Sequence, residues 1–96
     1  MSTKLERSQK AHKRLKDYHW NIVRHSSNTK KSFYPAVKNR YHEYVYNWQK
    51  NHNKLLSNKE KKSFYSSCIS EVVDDRKYEN KYGVGGYYIP KKYRDD

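Results

Sequence analysis

Seven cations near the amino end define the chemistry this sequence can offer. Arg7, Lys10, Lys13, Arg14 and Arg24 recur at intervals that put them on one side of a helix, and Lys30 and Lys31 follow soon after. A row of Lys and Arg on one helix side is what neutralising a run of phosphates requires. The excess is also localised. Residues 1–31 carry nine basic and two acidic side chains, in a chain whose net charge is +12, whereas residues 58–79 balance five against five. A localised excess makes a face, and a face attracts a polyanion. Nucleic acid is the first partner expected, an acidic protein surface the second, and lipid headgroups the third.

A second constellation closes the chain. Tyr87-Tyr88-Ile89-Pro90-Lys91-Lys92-Tyr93-Arg94 interleaves rings and cations, a mixture in which rings stack on unpaired bases while Lys and Arg hold phosphates. Tyr88 and Ile89 are expected to fold back and seal the core. Tyr93 and Arg94 stay as candidate contacts. Trp20 joins them, because it falls on the polar side of the first helix, where it is either open for contact or covered by another element.

Catalysis finds little support in these residues. The sequence holds no nucleophile elbow, no P-loop and no dinucleotide fingerprint. Cys68 lies on a predicted apolar face and reads as a buried, inert thiol. Asp74 and Asp75 are adjacent, so on a helix they point apart and form no acid/base pair. His12 and His19 share a helix side but stand two turns apart, about 10 Å of rise, whereas zinc ligands on one helix sit three to five residues apart. His42 and His52 fall on different faces. No enzyme activity, metal or cofactor is expected.

The elements that would position these groups follow from periodicity. A first helix, about 3–25, gathers Leu5, Ala11, His12, Leu15, Tyr18, His19, Ile22 and Val23 on one side, with the cations opposite. Residues 25–32 read as a loop by composition. A second helix, about 35–56, starts with Pro35 in its first turn. It turns Val37, Tyr41, Tyr44, Val45, Trp48, His52 and Leu55 inward, and Tyr46 away. Ser57-Asn58-Lys59-Glu60 is a capping box that opens a third helix, about 58–80, with Phe64, Tyr65, Cys68, Ile69 and Val72 inward. Three glycines within Gly83–Gly86 end it in a turn, and residues 81–96 form an extended Gly/Tyr-rich, basic and aromatic tail. The whole is one small all-α domain, 1–96.

Its core is thin. Hydrophobic residues make up 33% of the chain, and 11 of them are Tyr, so Leu, Ile, Val, Met and Phe contribute only 16 side chains. Help from a partner, from self-association or from a larger complex is therefore expected. The single cysteine fits a reducing compartment. Met1-Ser2-Thr3-Lys4-Leu5 begins no apolar run of the secretory kind. No membrane span is expected, and the location read from these signs is intracellular (cytoplasmic or nuclear) or inside a virus particle. Sixteen Lys against six Arg, with eight Asn and eleven Tyr, reflect A/T-rich codons. A low-GC bacterium, its phage or a large DNA virus is the kind of source they suggest.

The stretch from Asn53 to Phe64 resembles the junction of the second and third helices in HMG-box domains, on Leu56-Ser57, Glu60-Lys61 and the aromatic Phe64, with the Tyr- and Lys-rich tail similar in flavour. Asn53 stands where those domains usually carry Trp, and the upstream aromatic spacing differs. The resemblance implies minor-groove binding with an apolar wedge. The reading reached from the residues is non-enzymatic nucleic-acid binding through phosphate contacts. Its rival is an interaction protein, of phage or viral origin, that blocks an acidic host surface, or else a structural subunit.

Overall fold

The computed structural model describes residues 3–26 and 29–95. It is all-α: helices α1 (Lys4–Ser26), α2 (Lys30–His52) and α3 (Asn58–Tyr82) are followed by an extended tail that ends in one 3-10 turn, Lys91–Tyr93. Each boundary has a local cause. Thr3 caps α1, its hydroxyl accepting from the Glu6 N–H at 3.1 Å, and this Thr-x-x-Glu start repeats the logic of the second capping box. At α3, Ser57 accepts from the Glu60 N–H at 3.2 Å and its hydroxyl donates to the Glu60 carboxylate at 3.0 Å. The expected box is thus present, closed through the hydroxyl. At the far end Gly85 and Gly86 take φ of +76° and +84°, values that glycine adopts without strain.

The second helix departs from expectation at both ends. It begins at Lys30, five residues before Pro35, so His25 and Ser26 of the predicted loop belong to α1 and Lys30, Lys31 and Ser32 to α2, while Ser27 and Asn28 lie outside the described residues. The Ser32 hydroxyl and N–H both donate to the Thr29 carbonyl, and Phe33, fully buried, anchors the turn that composition assigned to a loop. Pro35 therefore sits inside the helix, where its ring removes the bond to the Lys31 carbonyl. The helix stops at His52 because Asn53 turns left-handed, φ 51° and ψ 39°, which asparagine tolerates better than most residues. The chain then bends so that Leu56 is buried and Leu55 exposed.

α2 is the central helix, packed against α1 on one side and α3 on the other. The apolar core lies on the α3 side: Phe33 and Val37 of α2, Cys68, Val72 and Val73 of α3, and Ile89 of the tail, with Tyr41, Tyr65, Tyr88 and Tyr93 packed around them. Tyr88 and Ile89 thus seal the core as expected, and Tyr93 joins them. Several residues assigned inward are not. Tyr18 and Tyr44 are exposed, and the Tyr44 hydroxyl donates to Glu71 at 2.8 Å. Trp48 is half-buried and stacks on His52, itself exposed. The radius of gyration, 14.9 Å, and longest dimension, 50 Å, exceed the roughly 12.5 Å radius of a compact chain this long. Such a shape keeps a large surface and a small interior.

The other side of α2 is joined to α1 by polar bonds. Gln9 donates its side-chain N–H to the Tyr46 carbonyl at 2.9 Å, and Asn39 donates to the Lys16 carbonyl at 2.9 Å. Gln49, fully buried, donates to Gln9 Oε1 at 2.8 Å and Ser8 Oγ at 3.1 Å, and accepts from the Leu56 N–H at 3.1 Å. The pairs Gln9–Tyr46 and Lys16–Asn39 fix an antiparallel register. One residue, Gln49, locks three segments together.

Candidate nucleic-acid interface

Because α1 turns its His12 and Leu15 side to α2, its opposite side is open. Arg7, Lys10, Lys13, Arg14 and Arg24 are all exposed, over about 25 Å of helix at 1.5 Å per residue. None of the five has a carboxylate within ion-pair distance among the described residues. The ion pairs lie elsewhere, Arg40 with Asp75 at 2.8 Å and Glu71 at 3.8 Å, and Lys77 with Asp95 at 3.2 Å. Lys30 and Lys31 are exposed too. They occupy the first turn of α2, which holds no acid, so their charge adds to the positive end of the helix dipole.

The remaining candidates fall in other places. Trp20 is 50% exposed and borders a hollow of about 230 Å³ shared with α3, whose Asp75 and Glu79 also line it. Arg40 and Arg76 line it as well, so two cations balance the two carboxylates and the hollow stands apart from the cation row of α1. Tyr93 packs against the core, its ring 6.4 Å from Phe33. Arg94 is exposed, but its Nε donates to the Ile89 carbonyl at 2.6 Å, and its guanidinium lies 5.4 Å from the Tyr88 ring. The tail therefore clasps the core, and its rings are not splayed.

Two residues join the basic face that periodicity did not bring to it. Tyr46 and Lys50 of α2 line a groove with Arg7, Lys10 and Lys13 of α1, about 540 Å³ in volume. The signal was available only through the hairpin register, which sets the end of α2 beside the start of α1.

Beneath the face, three histidines gather in the seam. His12 and His42 share a hydrogen bond between their Nδ1 atoms at 2.9 Å, which requires at least one neutral ring. The His19 ring lies parallel to that of His42, 5.8 Å between centroids, and its buried Nδ1 has no partner among the described residues. Burial, then His12, His19, Lys38 and Lys61, push His42 down to about 4. Burial and Lys61 lower His12, and burial and Lys38 lower His19. The three are neutral packing groups at pH 7. Among the described residues no group of three or more His, Cys, Asp or Glu is arranged to hold a metal ion. Cys68 is fully buried, and burial followed by the Glu71 charge pushes its thiol up to about 11, so it stays protonated.

No family model, curated protein or solved structure matches the chain. The HMG-box resemblance therefore rests on its own few residues, and there Leu56 and Ser57 act as a buried anchor and a helix cap. No helix among the described residues is long and apolar enough to cross a membrane.

Proposed function

We propose that this is a non-enzymatic nucleic-acid-binding protein that grips phosphates along the outer side of α1, with Lys30 and Lys31 extending the contact. The observation that carries the reading is the row itself: Arg7, Lys10, Lys13, Arg14 and Arg24 are exposed on one side of α1, and none has a carboxylate within ion-pair distance among the described residues. Unpaired cations in a row release counterions when they meet phosphates, and this supplies affinity without sequence choice. Titration of a random-sequence duplex against salt tests it. Five neutralised phosphates give a slope near −4.5 in log affinity against log salt, and a flat slope overturns the reading.

A second reading is favoured by the exposed rings of Tyr18, Tyr78 and Tyr82, each at least 60% open. Tyr is enriched where proteins dock, so a basic chain carrying such rings suits an acidic protein surface or a place in a larger assembly. Purified protein separates the two. Nuclease-sensitive material absorbing at 260 nm and removed by high salt belongs to the first reading, and a stable protein complex without it belongs to the second.

A further inference from the structure

We infer that the groove between the first half of α1 and the end of α2 seats one nucleotide of a single strand, its base on Tyr46 and its phosphates among Arg7, Lys10, Lys13 and Lys50. This rests on the nucleic-acid reading above and adds to it a preference for unpaired strands. The groove measures about 540 Å³, within the range of roughly 300–1,000 Å³ typical of ligand sites. Its lining offers four cations against one carboxylate, Glu6. Tyr46 is half-buried, so the ring is held in place yet retains an open surface.

The floor is built before any ligand arrives. Gln9 uses both ends of its amide, donating to the Tyr46 carbonyl at 2.9 Å and accepting from Gln49 at 2.8 Å. Gln49 is itself fully buried. A floor fixed by such bonds has little freedom left to lose on binding, which is what makes a preorganised site effective. A duplex keeps its base faces inside the stack and offers a protein phosphates and groove edges. A ring set among cations in a concave site gains more from a strand whose bases are free to stack. The outer side of α1 reads phosphate alone; the groove adds a preference.

Anisotropy of a labelled oligothymidylate of about 15 nucleotides, a duplex of equal length and heparin, each with the full chain, tests the assignment. Tyr46→Leu should weaken oligothymidylate about tenfold and leave duplex and heparin unchanged, and Tyr46→Phe should restore it. The structural bond at this position uses the backbone carbonyl, which both variants keep, so the fold should survive either change. Lys50→Gln, at an exposed position, gives an independent readout. The oligothymidylate salt slope should become shallower by about 0.7, one single-strand phosphate. Equal losses on all three probes, or no change with either variant, overturn the groove assignment. If wild type binds no nucleic acid at low salt, the function proposed above falls as well.

Discussion

Arg76 of α3 donates to the buried Ser32 hydroxyl of α2 at 2.9 Å, and its other terminal nitrogen donates to the Tyr88 carbonyl at 2.9 Å. The guanidinium is buried and lies 5.4 Å from the Phe33 ring, and burial pushes its pKa down. A single cation therefore joins the start of α2, the second half of α3 and the tail. Arg76→Met keeps the stem and removes the donors, leaving the buried Ser32 hydroxyl and the part-buried Tyr88 carbonyl short of a partner. The loss should be about 2–3 kcal/mol, read from the urea midpoint. Limited proteolysis should then cut after Lys91 or Lys92, and an unchanged midpoint would refute the linkage.

Gln49 plays the matching part on the other side of α2. Gln49→Leu preserves volume but strands the Leu56 N–H, a buried donor whose desolvation costs about 1–3 kcal/mol. Thermal unfolding should register it at neutral pH. Retention of full stability would mean that water replaces the amide.

Acid should loosen the molecule through the three seam histidines. Their folded pKa values lie below the ordinary 6.5, so the unfolded chain takes up protons first as pH falls. Stability is full above about 6.5 and declines down to about 4, the folded value for His42. Because His42 is only half-buried, its share is discounted to roughly 2 kcal/mol. Melting temperatures between pH 7.5 and 4 should show the decline, and His42→Gln should flatten it. A flat wild-type profile would mean that the imidazoles charge without penalty.

Reversing Lys10, Arg14 and Arg24 to Glu should cut nucleic-acid affinity at least a hundredfold at low salt, since three attractions become repulsions. Helicity and melting should be unaffected, because all three side chains are exposed and lie outside the ion pairs. Surviving affinity would move the contact to another face.

Periodicity found the three helices because apolar residues at three- and four-residue spacing must share a side, and Ser57-x-x-Glu60 marked a boundary that the structure keeps. It missed the start of α2, where the polar run Lys30-Lys31-Ser32 precedes the most deeply set ring, Phe33. It also missed Gln49 and Arg76 as interior groups. Sorting residues by polarity assigns such side chains to water, and only three-dimensional partners reveal that their hydrogen bonds are made inside. Tyr44 and Trp48 erred the other way, because α2 divides its surface between two neighbours and leaves both rings near the rim. Of the proposed groove, the α1 cations were legible, and Tyr46 and Lys50 were not.

The polar seam has a consequence for how the chain breathes. Water can substitute for amide and imidazole partners far better than for the side chains around Phe33 and Val72, so a release of α1 would leave those polar groups satisfied and would be resisted by its packing along α2. Amide deuterium exchange would show such a release as a division of the molecule in two, with α1 opening by itself while α2, α3 and the clasped tail exchange only on global unfolding. The helix that carries the unpaired cations would then be a separately opening unit, and a polyanion lying along it and the end of α2 would slow that opening by bracing two helices at once.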